Sequence, residues 1–134
     1  MKFSQGLYYI YTHRCNTDAV WKSDSTTAGI GWIFTAPSTL EVNSGSKVQM
    51  HVSSPLLAEA LAIREALQQA ISLKFTYIWV RSDSQVLVRA IDRNRSSSEL
   101  HGVLSGITGL ASSFIFCFFF PLLSLETQMS LQMP

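Results

Sequence analysis

The sequence predicts an α/β fold in which helices pack against one mixed β-sheet. In the first half of the chain, three segments separated by turn residues are typical of an antiparallel meander. A helical apolar repeat then begins near Ser53, and the almost continuously apolar segment Phe75–Arg81 indicates a strand buried on both faces. Because helices and strands alternate from there to Phe120, we expect five strands in a single sheet.

The composition is that of one globular domain, since 134 residues leave little room for a second. Hydrophobic residues make up 47% and charged residues 14%, which excludes a disordered chain without the apolar content for a core. With 2 cysteines and 7 glycines, a disulfide scaffold and a collagen-like repeat are excluded as well. The net charge of +1 provides no overall field that would attract nucleic acid.

The meander supplies the first three strands. Cys15–Trp21 is predicted as the first strand, and it carries a single acid, Asp18. The polar segment Lys22–Thr27 is a turn, after which Ala28–Thr35 is predicted as the second strand. The more polar segment Leu40–Val52 is predicted as the third strand.

A long helix is predicted from Ser53 to about Leu73. Ser54 can cap it, and Pro55 occupies the first helical position, where its missing N–H costs nothing. The apolar stripe that we expect to be buried repeats at helical spacing and comprises Leu56, Ala60, Ile63 and Leu67.

The remaining predicted elements are shorter. The strand Phe75–Arg81 ends at Ser82-Asp83-Ser84 and is followed by a short helix, Gln85–Ile91. A glycine-interrupted helix is predicted from Ser98 to about Leu110, and a last strand at Phe114–Phe120.

The C-terminal third of the chain contains a long stretch without charge. Between Glu99 and Glu126 there are 26 residues without Lys, Arg, Asp or Glu, and they account for the positive mean hydropathy of +0.20. That length allows an alternative in which a helix over Val103–Leu125 anchors the protein in a membrane. Pro121 and the interspersed glycines and serines argue against it, so we favour a protein without membrane contact.

The cysteines and the N-terminus bear on the cellular compartment. Cys15 and Cys117 have no partner cysteines at metal-site spacing, and we interpret both as free, buried thiols of a reducing compartment, with a disulfide between them as the alternative. Residues 1–12 are predicted to be an N-terminal extension in which Leu7–Thr12 can be extended. Its apolar run is too short for a signal peptide. We expect an intracellular protein, nuclear or cytoplasmic, that is not secreted.

Three acids differ from the carboxylates that lie in predicted loops and on solvated faces. Asp18 lies in an otherwise apolar strand, Glu59 flanks the apolar stripe of the long helix, and Asp83 follows the most buried strand. Three carboxylates near the core repel one another and lose hydration unless a divalent cation lies among them. Mg²⁺ is bound by a few carboxylates with water and phosphate oxygens, and two such ions about 4 Å apart can promote phosphodiester hydrolysis.

Each of these acids also has a purely structural interpretation. Asp18 could accept hydrogen bonds from backbone amides of the following loop, and Glu59 could pair with Arg64 or face water. Asp83 could cap the helix that begins at Ser84 or Gln85. The residues alone leave the metal site and these alternatives open.

The segments CNTDAVW, AGIGWIF, AEALAIREAL and IWVRSDSQVLV, in this order, resemble the ribonuclease H fold. The similarity is greatest to the plant reverse-transcriptase-like, type 1 ribonuclease H domains, many of which belong to retroelements. It covers about Cys15–Phe118 and implies a domain at residues 13–120. The resemblance also implies that Asp18, Glu59 and Asp83 are catalytic residues that bind two Mg²⁺ ions. Such a domain cleaves the RNA strand of an RNA–DNA hybrid, leaving a 3′-hydroxyl and a 5′-phosphate, and uses no small-molecule cofactor.

The sequence departs from this family after the last predicted strand. Family members continue with a polar connection, often with a histidine, and with a helix that starts near a fourth acid in a pattern such as A-D-x-L-A-K. Residues 121–134, PLLSLETQMSLQMP, form an aberrant tail in which Glu126 is the one acid. We therefore expect the final helix to be missing, and we interpret the change as a shifted reading frame or a mis-spliced gene.

A few residues are candidate nucleic-acid contacts. Arg81, Arg89 and Arg93 are close in sequence, and the last two share a helical face on which they could hold backbone phosphates. A solvated face that pairs with a nearby acid is the alternative. The hydroxyls of Ser25 and Thr26 could line the groove of a bound hybrid.

Two functions therefore compete. The first is a Mg²⁺-dependent endonuclease that acts on RNA–DNA hybrids, and the second is a nucleic-acid-binding relic that has kept the fold but not the turnover. The feature that distinguishes these two functions is the fourth acid of the family, which this sequence lacks. Trp21, Trp32 and Trp79 are interpreted as core residues rather than as platforms for base stacking.

Overall fold

The computed structural model describes residues 12–37, 40–93 and 100–121. The elements in chain order are β1 (His13–Lys22), β2 (Thr27–Thr35), β3 (Glu41–Gln49), α1 (Pro55–Ser72), β4 (Tyr77–Ser82), α2 (Gln85–Arg93), α3 (His101–Ala111) and β5 (Phe116–Pro121). Three of the predictions fall wholly or mostly outside the described residues. These are the extended segment at residues 7–12, the start of α3 at Ser98 and the missing helix after β5.

The strands form one five-stranded sheet in the order β3-β2-β1-β4-β5. The pairs β1–β2 and β2–β3 are antiparallel, whereas β1–β4 and β4–β5 are parallel. β4 therefore lies inside the sheet, and its residues Ile78, Trp79 and Val80 are buried. The predicted α/β class, with a meander followed by α/β alternation in a mixed five-stranded sheet, is confirmed.

The main core lies between α1 and one face of the sheet. Side chains alternate between the faces of a strand, and Cys15 of β1 and Ile30, Trp32 and Phe34 of β2 are buried on the face that α1 covers. The fully buried alanines of α1 are Ala58, Ala60, Ala62, Ala66 and Ala70. The distance between two packed elements depends on the size of the side chains at the contact. With such short side chains α1 packs closely on β1 and β2.

The start of α1 is fixed by the residues that the sequence indicated. The Ser54 hydroxyl accepts a hydrogen bond from the backbone N–H of Leu57 at 3.1 Å, and Pro55 is the first helical residue. The cap satisfies one of the amides that have no partner inside the first turn. Ile63 and Leu67 of the apolar stripe are fully buried, whereas Leu56 is half-buried.

β3 is shorter than predicted, because it ends at Gln49 rather than at Val52. His51 has a φ of 58°, in the left-handed region, which turns the chain out of the strand. The N–H of Val52 then donates to the carbonyl oxygen of Thr26 at 2.8 Å, and the Val52 side chain is buried in the core. The Trp21 indole N–H donates to the Val52 carbonyl oxygen at 2.8 Å, which attaches the same segment to β1.

The charge-free stretch contains α3 and β5. Leu104 and Ile107 of α3 are buried, and α3 packs against α1. Within the part of the chain that the structure describes, no helix has both the length and the apolar character needed to cross a membrane.

Cys15 and Cys117 are free thiols. Cys15 is buried, but Cys117 is only half-buried because it lies on β5, the outermost strand on its side of the sheet, which corrects the prediction that both are buried. Burial raises the pKa of the Cys117 thiol to about 12 and also raises the pKa of Cys15. Both therefore stay protonated near neutral pH and are poor nucleophiles.

The variant Gly45→Ala is expected to lower the free energy of unfolding by about 1 to 3 kcal/mol, the usual range for overpacking. A Cβ at Gly45 would lie 2.7 Å from Cε2 of the Trp32 indole. The ring is buried in the core, so it cannot move away without disturbing its neighbours. Thermal or urea unfolding followed by circular dichroism measures the effect.

Gly29→Ala provides a matched control for this prediction. No heavy atom lies within 4 Å of a Cβ built at Gly29, which is on β2, next to β3. The change should leave stability unaltered or raise it slightly, because alanine restricts the unfolded chain. Equal losses of stability in the two variants would contradict the role assigned to the Trp32 contact.

Candidate metal centre

The β1–β4 fork is the place where these two parallel strands separate at their carboxyl ends. Their last paired residues are Asn16 of β1 and Arg81 of β4. Asp18 and Asp83 each lie two residues beyond that pair. Because the strands are parallel, both carboxylates lie at the same edge of the sheet, which is where sites collect in sheets of this kind.

The fork is held together by Thr17. Its hydroxyl donates to the carbonyl oxygen of Arg81 at 3.1 Å, and the Thr17 side chain is buried. This hydrogen bond joins the strands at the point where their backbone pairing ends, directly beside Asp18. Thr17 was not among the predicted site residues, because a single threonine within a strand carries no signal in the sequence.

The third carboxylate reaches the fork from α1. Glu59 lies in the second turn of α1, and α1 packs against β1 and β2. One carboxylate oxygen from each of Asp18, Glu59 and Asp83 can be chosen so that all lie within 4.8 Å of one another. The structure therefore brings together the three acids that the sequence analysis singled out. Asp18 and Asp83 are exposed and Glu59 is half-buried.

Glu59 is the member of this group whose charge is disfavoured. Burial raises its pKa to about 8, and a hydrogen bond with Asp83 and the like charges of Asp83 and Asp18 act in the same direction. Its Oε1 atom is buried and has no hydrogen-bond partner among the described residues. A buried acceptor without a donor, next to two further carboxylates, fits a divalent cation, which supplies positive charge and coordinates hard oxygen ligands.

The purely structural roles suggested for the three acids can be checked against the hydrogen bonds and ion pairs of the structure. Asp18 Oδ1 accepts from the N–H of the next residue in β1, Ala19, at 2.9 Å, and not from the following loop. The hydroxyl of Ser84 accepts from the N–H of Leu87 at 3.2 Å, so Ser84 caps α2 and Asp83 does not. In the described ranges, the only ion pair joins Lys47 to Glu65, and a pair between Glu59 and Arg64 is not found.

Without divalent cations, the protein is expected to lose stability as the pH rises from about 5 to about 8. The folded chain holds the Glu59 proton more tightly than the unfolded chain, whose carboxyl titrates near 4.5. The stabilisation that the Glu59 proton provides is therefore complete below pH 4.5, and it is lost as the pH rises through about 8. Solvent screening of a half-buried group reduces the effect to roughly 1 kcal/mol, or about 3 to 6 °C in Tm.

Melting temperatures measured in EDTA across this pH range test the prediction. Glu59→Gln keeps the shape of the side chain and removes the titration, so its Tm at pH 8 should exceed that of the parent protein. Glu41→Gln, at an exposed position, is the control and should leave the pH dependence unchanged. The same pH dependence in Glu59→Gln as in the parent would contradict the assignment to Glu59.

Two of the three predicted arginine contacts, Arg81 and Arg89, have side chains that the structure describes. Arg89 is exposed on α2, whereas Arg81 is half-buried on β4 and its Nε is buried without a hydrogen-bond partner in the described part of the chain. Arg93 is the last residue of α2, and its side chain lies outside the described residues. Of the two arginines whose side chains are described, Arg89 is the exposed one.

The predicted hydroxyl contacts lie in the turn between β1 and β2, where Ser25 and Thr26 are exposed. The hydroxyl of Ser25 lies 2.8 Å from that of Thr27, and the Thr26 hydroxyl donates to the carbonyl oxygen of Ser25 at 2.7 Å. Thr26 has a φ of 48°, which matches its position in a tight turn. Trp32 and Trp79 are buried and Trp21 is half-buried against the core, in agreement with their interpretation as core residues.

An open groove lies beside Asp18 on the face of the sheet opposite α1. Its volume is about 520 Å³, and its lining includes Gly29, Gly31, Ser46 and Val48. The groove exists because the two glycines place no side chain on this face of β2. It leaves the Asp18 carboxylate accessible from solvent.

The fold is similar to solved ribonuclease H structures. Ribonuclease H1 from the halophilic archaeon Halobacterium salinarum matches with a TM-score of 0.75 and 19% identity, over 86% of this chain and 89% of that one. LC11 ribonuclease H1, isolated from compost and solved with an RNA/DNA hybrid, matches with a TM-score of 0.71 and 18% identity, over 81% and 83%. The foamy viral protease–reverse transcriptase bound to double-stranded DNA gives 0.64 and 11%, over 84% and 80%.

At these identities the structural similarity shows a ribonuclease H-like fold. A search of curated proteins found no match to the chain. The sequence profile of the reverse transcriptase-like family, in contrast, matches residues 16–120, a range that contains Asp18, Glu59 and Asp83. Since this match spans most of the sequence, the chain belongs to the reverse transcriptase-like family.

Proposed function

We propose that this chain binds RNA–DNA hybrids and hydrolyses their RNA strand with the help of Mg²⁺. The observation that carries the proposal is the meeting of Asp18, Glu59 and Asp83 at the β1–β4 fork, with ligand oxygens within 4.8 Å of one another. Carboxylate oxygens are the ligands that Mg²⁺ prefers, and Mg²⁺ typically retains waters and binds substrate phosphates as well. The plant retroelement origin that the sequence resemblance implies is part of the same proposal.

In this proposal, the three carboxylates hold the metal and the fold positions them. Asp18, Glu59 and Asp83 would hold Mg²⁺ there, and the bound ion would supply activation of a water and stabilisation of the leaving oxygen of a phosphodiester. The parallel strands β1 and β4 place Asp18 and Asp83 at one edge, and Thr17 keeps the strands together behind them. Glu59, whose pKa is raised to about 8, must release its proton before it can act as a ligand.

The proposed substrate approaches from the open side of the fork. The exposed Arg89 can neutralise a backbone phosphate, and such contacts supply most of the affinity that does not depend on sequence. The groove over Gly29 and Gly31 gives a nucleic-acid backbone access to Asp18. Since one similar structure holds an RNA/DNA hybrid and another holds double-stranded DNA, both belong in the test.

The test is a cleavage assay with end-labelled RNA in an RNA–DNA hybrid, with double-stranded DNA and double-stranded RNA in parallel reactions. The proposal expects cleavage of the hybrid RNA in Mg²⁺, with 3′-hydroxyl and 5′-phosphate products, and no cleavage in EDTA. Cleavage that persists in EDTA would contradict the role of the metal. Cleavage of the DNA duplex instead of the hybrid would contradict the substrate.

The second candidate function is a nucleic-acid-binding relic without turnover. It is favoured by the absence of any Asp after Asp92 in the sequence, which leaves the family's fourth acid without a counterpart. Glu126, the one acid of the tail, lies outside the described residues. Hybrid binding in a gel-shift assay without detectable cleavage at high protein concentration would support this function over the first.

We also propose that the domain comprises residues 13–120 and that residues 121–134 are an altered tail. The support is the loss of the family pattern after β5 in the sequence. Translation of the other two reading frames downstream of the codon for Phe118 tests this idea. A segment like A-D-x-L-A-K in one of those frames would support a frameshift or mis-splicing, and its absence from both would contradict it.

A further inference from the structure

Two buried hydroxyl side chains lie at the β1–β4 fork, each directly before one of the exposed acids. Thr17 precedes Asp18 and Ser82 precedes Asp83. Among the described residues, the buried polar side chains are these two and Thr12. A buried hydroxyl is costly unless it forms hydrogen bonds, and valine or alanine would fill these positions without that cost. The hydrogen bonds of Thr17 and Ser82 therefore indicate what the two hydroxyls do.

The hydroxyl of Thr17 attaches the end of β4 to β1. The backbone of Asp18 is already fixed, because Asp18 pairs with Gly31 and the pairing of β1 with β2 continues to Lys22. The pairing of β1 with β4, in contrast, ends at Arg81. The hydrogen bond of 3.1 Å from the Thr17 hydroxyl to the carbonyl oxygen of Arg81 carries this attachment past the last backbone pair, towards Asp83.

The hydroxyl of Ser82 fixes the turn that carries Asp83. It accepts a hydrogen bond from the backbone N–H of Ser84 at 3.2 Å, which bends the chain directly after β4. The Ser84 hydroxyl in turn accepts from the N–H of Leu87 at 3.2 Å and caps α2. Asp83 thus lies between two residues that are held by their own hydroxyls. Its backbone is restrained although its carboxylate is exposed.

We propose that Thr17 and Ser82 are positioning residues that set the metal affinity of the site, because their hydroxyls hold Asp83 close to Asp18. Without a cation the two carboxylates repel each other, so the hydrogen bonds keep the ligands together against this repulsion. Mg²⁺ demands nearly ideal octahedral geometry, so a small change in ligand position weakens binding. The inference rests on the metal centre of the proposed function and assigns its affinity to two uncharged residues that do not bind the ion.

Titration of the full chain with Mn²⁺, without nucleic acid, tests the proposal. Mn²⁺ binds the same oxygen ligands as Mg²⁺, and its free form is measured by electron paramagnetic resonance. Thr17→Val removes the hydroxyl and should raise the Kd for Mn²⁺ by about 10-fold or more, the usual effect of a residue that orients a ligand. Thr17→Ser keeps the hydroxyl and should bind Mn²⁺ nearly like the parent. Ser82→Ala should weaken binding as Thr17→Val does, and it keeps the test decisive if Thr17→Val does not fold.

The matched control is Thr12→Val, which removes a buried threonine hydroxyl just before β1, about 16 Å from Thr17 along the strand. It should bind Mn²⁺ like the parent, and circular dichroism establishes that each variant is folded.

Parental affinity in both Thr17→Val and Ser82→Ala would overturn the proposal. So would an equal loss of affinity in Thr12→Val, or a parent protein that binds no Mn²⁺. The expected ranking of affinities in a protein that does not cleave the hybrid would support this inference and refute only the proposed hydrolysis.

Discussion

Replacing Asp83 with asparagine is expected to lower the rate of hybrid cleavage by about 10³-fold, through the loss of about 4 kcal/mol of transition-state stabilisation. Asparagine has nearly the same shape as aspartate but no negative charge, so the proposed ion loses a ligand at the β1–β4 fork. Asp83 is exposed, which means that the fold should tolerate the change. Single-turnover cleavage of a labelled hybrid measures the rate, and a gel-shift assay with the same hybrid measures binding.

Asp24→Asn is the matched control, because Asp24 is an exposed acid in the turn between β1 and β2. It is not one of the three clustered acids, Asp18, Glu59 and Asp83. It should cleave the hybrid like the parent protein. Hybrid binding should survive in Asp83→Asn, because phosphate contacts do not require this carboxylate. Parental turnover in Asp83→Asn would refute the proposed metal centre.

The second large effect is expected from Ile63→Ala, which should lower the free energy of unfolding by about 2 to 5 kcal/mol. Ile63 is fully buried in the core between α1 and the sheet, so truncation leaves a cavity. Ile63 also lies one helical turn after Glu59 on the same side of α1. We therefore expect hybrid cleavage to fall as well, because α1 no longer holds Glu59 firmly against the fork.

Urea unfolding at equilibrium gives the free energy for this variant. Val86→Ala serves as the comparison, because Val86 is 64% exposed on α2 and its truncation should cost less than about 0.5 kcal/mol. Similar losses in the two variants would show that the packing of α1 on the sheet is not what determines stability. Cleavage should therefore also be measured at low temperature, where Ile63→Ala is fully folded. If cleavage returns to the parental rate there, the loss came from unfolding and not from a displaced Glu59.

Local patterns were sufficient to predict most of the fold. The helical repeat and the Ser54-Pro55 start predicted α1, since both depend on neighbouring residues only. The almost continuously apolar segment at β4 predicted its place inside the sheet, because strands covered on both faces have such sequences. The extent of β3 was not predictable, since its end depends on the left-handed His51 and on the hydrogen bond from Val52 to Thr26.

The cluster of three acids was predictable from the order and spacing of the sequence motifs, but the hydrogen bonds around it were not. The resemblance to ribonuclease H domains indicated Asp18, Glu59 and Asp83 together, and parallel pairing of β1 and β4 explains why they meet. The cap of α2 could have come from Asp83 or Ser84, since both side chains suit that role. The choice of Ser84 follows from the three-dimensional position of its hydroxyl relative to Leu87.

The fork also has a consequence for the order of folding events. The hydrogen bond from Thr17 to Arg81 spans 64 residues of chain, so the two strands meet only after a long loop has closed. Contacts of such long range are slow to form, because the entropy of closure is lost before the contact contributes. A cation bound at this fork, as proposed above, would bind only chains in which closure is already complete. Bound Mg²⁺ should therefore slow unfolding more than it accelerates refolding, and its effect should appear mainly in the unfolding arm of a chevron plot.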